Sequence, residues 1–176
     1  MSEVRAESSG SISKKPLALA QYRWFWLLAV LIYLSDQLSK HWIESKLSYP
    51  TYGEENGAIV VISGFFNFVH VGNTGAAWSM FHGNSVPLAV VALIALVAIY
   101  IWRKAIGLNA IYTQVCFGLL CGGILGNLTD RLIHGYVVDF IDLHFGNYIY
   151  PTFNIADSGI CIGVLLYLIE SFKKQD

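Results

Sequence analysis

Asn127-Leu128-Thr129-Asp130-Arg131, Val137-Val138-Asp139-Phe140 and Phe153-Asn154-Ile155-Ala156-Asp157-Ser158 follow one another between residues 127 and 158. Three Asp, one Arg and two Asn are thereby packed between two glycine-rich apolar runs, each long enough to cross a bilayer. Ionisable groups at the edge of hydrocarbon are costly, so their default reading is a functional site. The rest of the chain is arranged around this stretch.

Composition sets the class. The chain has 176 residues, 55% of them hydrophobic and 13% charged, with a mean hydropathy of +0.53. That is too apolar for an ordinary soluble domain and points to an integral membrane protein. Cys116, Cys121 and Cys161 all fall inside apolar runs, where a thiol behaves as a small hydrophobe. An odd number so placed predicts neither a disulfide framework nor a zinc site. No Cys-x-x-Cys or His-Glu-x-x-His pattern occurs. No cofactor and no nucleic-acid partner is expected.

Residues 1–21 hold Ser, Glu and Lys without apolar periodicity and read as a disordered tail. Four apolar spans follow, at about 24–43, 86–102, 111–128 and 155–170, within a single domain covering 22–172 and closed by a short tail, 173–176. Tyr22, Trp24 and Trp26 at one end of the first span and Trp42 at the other suit interfacial aromatic belts. Asp36 and Lys40 are four apart, hence on one helical face, where they can pair. A simple ion pair that makes both charges tolerable is one account of them; a part in shaping a site is the other. Gly118, Gly122 and Gly126 recur at four-residue spacing in the third span, and Gly159 and Gly163 lie in the fourth. Such faces allow close approach in lipid, so the third and fourth spans are expected to touch.

Residues 44–80 differ in kind. Residues 58–62 and 65–71 are β-branched and aromatic runs separated by Ser63-Gly64, which predicts a small antiparallel hairpin outside the bilayer. It leads into Gly72-Asn73-Thr74-Gly75-Ala76-Ala77. Small residues there either let backbone approach a ligand closely or make a plain turn.

Orientation follows from the basic residues. Arg5, Lys14, Lys15 and Arg23 precede the first span, Arg103 and Lys104 lie between the second and third, and Lys173 and Lys174 follow the fourth. With four spans these positions share one side, which the positive-inside rule makes cytoplasmic. Asp36, Lys40, Asn73, Asn127, Asp130, Arg131, Asp139, Asn154 and Asp157 then converge on the outer face from four separate segments.

The chemistry open to that constellation is limited. No Ser or Thr sits in an elbow motif, and the Cys are buried in apolar runs. Metal binding through His134, Asp139, Asp142 and His144 is conceivable, but that loop has no recognised ligand spacing. Two carboxylates close together share a proton, because both cannot easily ionise. One can then take a proton from water while the other polarises a scissile carbonyl, which is peptide hydrolysis without metal or covalent intermediate. Asp139 and Asp157 are the best candidates. Asp157 also reads as the third residue of a helix capped by Asn154. Asp139, flanked by four apolar residues, has no evident structural purpose; Asp142 is the alternative neighbour. Asp130-Arg131 reads either as part of the site or as a helix-end ion pair.

Asp36-x-x-x-Lys40, Asn73-Thr-Gly75-Ala-Ala77, Gly123-x-x-Gly-Asn127-x-x-Asp130-Arg131, Val137-Val-Asp139-Phe and Phe153-Asn154-x-Ala-Asp157 together resemble lipoprotein signal peptidase, the bacterial signal peptidase II. The likeness covers about residues 22–172. It implies a fold of four transmembrane helices, mainly α, with a small extracytoplasmic antiparallel β-sheet cradle over residues 44–80. It implies a membrane aspartic endopeptidase whose dyad maps onto Asp139 and Asp157, supported by Asp36, Lys40, Asn73, Gly75, Asn127, Asp130, Arg131 and Asn154, with no metal. The implied partners are membrane lipid and a lipid-modified prolipoprotein, cut just before a lipobox Cys that carries a diacylglyceryl group; a monomer is expected in the inner membrane. The rival classes are a proton-coupled transporter, with Asp36, Asp139 and Asp157 spread through the bilayer depth as a relay, and a noncatalytic scaffold held by glycine faces.

Overall fold

The computed structural model of the protein describes residues 21–75, 83 and 85–173. The tail expected over residues 1–21 lies outside them apart from Gln21, and so do Ala76, Ala77 and the last three residues. The described chain runs α1 (Arg23–Lys46), β1 (Ile59–Ile62), β2 (Phe66–Asn73), α2 (Ser85–Trp102), α3 (Ile111–Ile133), β3 (Val137–Phe145), β4 (Tyr148–Ile149) and α4 (Ile155–Lys173). A 3-10 turn, Glu54–Asn56, precedes β1. The fold is mainly helical with a small antiparallel sheet, as the sequence leads one to expect.

By length and composition α2, α3 and α4 can each cross a membrane. The first helix, α1, has 24 residues and spans about 36 Å at about 1.5 Å per residue. It is less apolar because it carries Asp36, Lys40, Glu44 and Lys46. The helices α1 and α3 overrun the spans expected from apolar residues alone, to Lys46 and Ile133. Their polar ends lie against protein: Asp36, Lys40, Asn127 and Asp130 are all buried.

The glycines explain how the helices are layered. A Cβ on Gly118 would meet Phe25 O at 2.8 Å, and one on Gly122 would meet Ala29 O at 2.6 Å, so these two face α1. Gly123 abuts Ala156 O, and Gly163 of α4 would place a Cβ 2.6 Å from Cys116 O. The expected contact between third and fourth spans is therefore present; it runs through Gly123 and Gly163, while Gly126 and Gly159 sit where α1 meets both helices. Gly118 and Gly122 serve the first helix instead, which leaves α3 sandwiched between α1 and α4. Only Ala89 of α2 is buried. With Val90, Val91, Ile94 and Val97 exposed, that helix offers nearly its whole circumference to hydrocarbon.

The expected hairpin forms as β1 and β2 but is half of the sheet. Strand order is β1-β2-β3-β4, all antiparallel, and β3 carries Asp139. The β3–β4 hairpin turns on Gly146-Asn147, with Gly146 at φ 63°, a left-handed conformation that glycine adopts at little cost. A core of Ile43, Leu47 and Phe140, with Ile59, Phe68, Ile141 and Ile155 packed on it, fastens the sheet to the end of the bundle. A second core of Leu108, Cys116 and Phe117 closes the opposite end.

Candidate active site

The start of α4 is held by its own sequence and by a distant helix. Asn154 Oδ1 accepts from Asp157 N at 2.9 Å, and Asp157 Oδ2 accepts from Asn154 N at 3.2 Å, which is a reciprocal capping box. Asp36 Oδ1, brought from α1, accepts from Ala156 N at 2.9 Å and satisfies another of the orphan amides of the first turn. The Asp157 carboxylate is thereby fixed at the positive end of the helix dipole.

Asp139 reaches the same place from the sheet, and a β-bulge decides what it meets there. Phe68 pairs with Ile141 in β2–β3, whereas Val71 pairs with Asp139, so β2 carries one extra residue between Phe68 and Val71. Strand side chains alternate, and a one-residue slip exchanges faces. Asp139 and Asp142 point to opposite sides of β3. The slip lets Asn67 donate to Asp142 Oδ2 at 3.5 Å while Asn73, on the same side of β2 by simple alternation, donates to Asp139 Oδ2 at 2.9 Å.

Three asparagines then present amide donors to the two carboxylates. Asn73 Oδ1 is occupied by Gly75 N at 2.9 Å, so its Nδ2 must face Asp139. Asn154 Oδ1 is occupied by Asp157 N, so its Nδ2 faces Asp139 Oδ1, at 2.7 Å. Asn127 Oδ1 accepts from Lys40 Nζ at 3.2 Å and from Asn154 Nδ2 at 3.2 Å, so its Nδ2 donates to Asp157 Oδ1 at 2.7 Å. In each case the carbonyl oxygen is pinned by a group that can only donate, which fixes the amide orientation.

Beneath them lies a buried charge cluster. Lys40 Nζ sits 2.7 Å from Asp36 Oδ2 and 2.8 Å from Asp130 Oδ2. Gln37 Nε2 donates to Asp130 Oδ1 at 2.9 Å, and Val138 N donates to Asp130 Oδ2 at 3.1 Å, which ties β3 to α3 beside Asp139. Asp36 and Lys40 thus do more than neutralise one another: they hold the start of α4 and the orientation of Asn127. The helix-end pair considered for Asp130-Arg131 does not form, because successive helical residues diverge. Arg131 instead donates to Gly75 O at 2.9 Å and to Asn127 O at 3.3 Å, bridging the end of β2 to α3.

All ten residues singled out from the sequence therefore meet in one bonded network at one end of the bundle. Asp139 is 2% exposed. Burial, and then the neighbouring Asp157 charge, push its carboxyl up to about 7 despite the amides of Asn73 and Asn154. Gln37 was not foreseen; a lone amide inside an apolar helix, next to Asp36, was the signal for it. Asp142 is not a neighbour of the pair. It turns to the far side of β3, 2.6 Å from His144 Nε2. Among the described residues, no three His, Cys, Asp or Glu side chains gather as metal ligands, so the set His134, Asp139, Asp142 and His144 does not assemble.

The family profile for "Signal peptidase (SPase) II" matches residues 28–173, a range that includes every member of this network. The chain belongs to the signal peptidase II family. Similar curated relatives are the "Lipoprotein signal peptidase" of Shewanella amazonensis, 40% identical over 155 residues, covering 86% of this chain and 88% of that one, and that of Pseudoalteromonas atlantica, 36% identical over 163 residues, covering 88% and 92%. A bacterial membrane enzyme solved by the in meso method at 2.3 Å superposes with a TM-score of 0.76 at 35% identity, covering 85% of this chain and 88% of that chain. Signal peptidase II family membership makes the chain a peptidase, and that membrane enzyme shares its fold.

Proposed function

We propose that this peptidase removes the signal peptide from prolipoproteins, cutting before a lipobox Cys that carries a diacylglyceryl group, and that Asp139 and Asp157 perform the hydrolysis. The observation that carries the reading is the bridge made by Asn154. Its backbone N–H holds Asp157 Oδ2 and its side-chain amide holds Asp139 Oδ1, at 3.2 and 2.7 Å. One residue thus sets the positions of both carboxylates.

In the proposed cycle Asp157, at the helix N-terminus, is the ionised member and Asp139 carries the shared proton. Asp157 takes a proton from water as the water oxygen bonds to the scissile carbonyl carbon. Asp139 gives its proton to the carbonyl oxygen, which yields a neutral tetrahedral diol. The C–N bond then breaks, the leaving amine takes the proton from Asp157, and a diol proton returns to Asp139. Asn73, Asn127 and Asn154 hold the carboxylates in register, while Lys40, Asp36, Asp130, Arg131 and Gly75 hold the asparagines. The lipid anchor positions the bond to be cut. The positive-inside distribution puts both termini in the cytoplasm and the dyad at the outer face of the bacterial inner membrane. The working unit in this reading is a monomer, since the proposed cycle needs no residue from a second chain.

Mass spectrometry of a diacylglyceryl-cysteine peptide incubated with the purified full-length protein tests the reading. Cleavage on the amino side of the modified cysteine is expected; an intact peptide, or one cut elsewhere, overturns it. The raised carboxyl of Asp139 adds a pH prediction. A group with an elevated pKa keeps its proton below that value and loses it as pH rises through it. Activity is therefore expected to fall on an alkaline limb centred near pH 7, as the acid of the pair disappears. A flat alkaline profile of kcat/KM would contradict the assignment of the proton to Asp139.

A further inference from the structure

Two buried carboxylates, Asp36 and Asp130, share the single ammonium of Lys40 beneath the dyad. Asp36 Oδ1 accepts from Ala156 N and Asp36 Oδ2 from Lys40 Nζ, while Asp130 Oδ2 accepts from Lys40 Nζ and Val138 N. Asp130 Oδ1 has, among the described residues, one donor: Gln37 Nε2 at 2.9 Å. The same nitrogen lies 3.2 Å from Asp36 Oδ2 and 3.3 Å from Gly126 O. Carboxylate and carbonyl oxygens only accept, so the NH2 of Gln37 faces them and its carbonyl does not. A buried carboxylate oxygen without a donor is costly, which makes this contact hard to replace.

Lys40 has no hydrogen to spare for it. Its ammonium carries three and meets three acceptors, Asp36 Oδ2 at 2.7 Å, Asp130 Oδ2 at 2.8 Å and Asn127 Oδ1 at 3.2 Å. The bond to Asn127 is the longest, and it fixes the amide whose Nδ2 holds Asp157 Oδ1 at 2.7 Å. Without Gln37, a bare Asp130 Oδ1 would draw the ammonium towards itself, and the contact with Asn127 would be the one to give way. We infer that Gln37 is a positioning residue for the hydrolysis: by satisfying Asp130 it leaves Lys40 a hydrogen for Asn127, and so keeps both the Asn127 amide and the Lys40 charge directed at the dyad. This rests on the proposed function and adds to it a residue that touches neither Asp139 nor Asp157.

The charges around Asp139 are Asp157 on α4, Arg131 on α3 and Lys40 on α1, the last paired with Asp36 and Asp130. Burial and Asp157 raise the Asp139 carboxyl, and Lys40 opposes them. A Lys40 drawn away leaves that carboxyl higher still, so the alkaline limb of kcat/KM moves to higher pH. The test compares full-length wild type and Gln37→Leu in detergent on a diacylglyceryl-cysteine peptide, with turnover followed by mass spectrometry across that limb and a thermal melt beside it. Gln37→Leu is expected to lower kcat about tenfold, the low end for a hydrogen bond to a charged group, and to leave KM within about twofold. The limb should move up by about half a pH unit or more. A limb that stays put or moves down overturns the inference whatever happens to Tm, and so does a loss confined to KM; in each case the proposed function stands. Gln37→Asn, whose amide falls one methylene short of Asp130, is read by the same criteria should the leucine variant not fold. A wild-type protein that cleaves no lipidated peptide removes the proposed function and this inference with it.

Discussion

Asp139→Asn and Asp157→Asn are each expected to lower kcat/KM for a lipidated peptide by at least about a thousandfold while the protein remains inserted and monodisperse. The substitutions keep shape and remove only the ability to hold and pass a proton. Asparagine is the informative choice at position 157, because it retains one acceptor for the cap of α4. Alanine there would loosen the first helical turn and confuse folding with chemistry. At position 139 the same logic holds, since both carboxylate oxygens accept a bond, from Asn73 and Asn154. The measurement is peptide turnover by mass spectrometry beside a thermal melt in detergent. Full turnover by either variant would remove the dyad.

Lys40→Met carries the largest expected effect on stability. Asp36 and Asp130 are 0% and 2% exposed, and Lys40 is the cation paired with both. Removing one partner of a buried ionic cluster costs about 3–5 kcal/mol, because the remaining charges are left uncompensated. For a chain of this size that corresponds to a fall of roughly ten degrees in Tm. Asn127 also loses one of the two donors to its Oδ1 and keeps only Asn154 Nδ2, so turnover should fall with stability. Adding Asp36→Asn and Asp130→Asn to Lys40→Met should recover much of the Tm but not the activity. A Lys40→Met protein that melts like the wild type would show that the cluster contributes little.

Legibility in the sequence tracks the range of the interaction concerned. The four helices are legible because apolar length is a local property, and the Asn154–Asp157 cap because three residues suffice to specify it. The convergence of Asp36, Asn127, Asp139 and Asp157 follows once the spans and their alternation are known. What stays hidden is pairing between distant segments. Asp130 stands next to Arg131 in sequence but binds Lys40, and Gly118, Gly122 and Gly126 share a spacing that lines α1, with only Gly126 also reaching α4. Strand β3 was missed for a different reason: its acids distract from a run of Val, Phe, Ile and Leu ending in the two-residue turn Gly146-Asn147, an ordinary hairpin signature.

The extra residue in β2 makes the sheet sensitive to phase. A residue added at Ser63-Gly64 only lengthens a hairpin tip, whereas one lost between Phe68 and Val71 swings Asn73 away from Asp139. Within the β1–β2 hairpin, single-residue deletions are therefore expected to be silent at the Ser63-Gly64 tip and fatal between Phe68 and Val71, with side-chain chemistry at the deleted position counting for little.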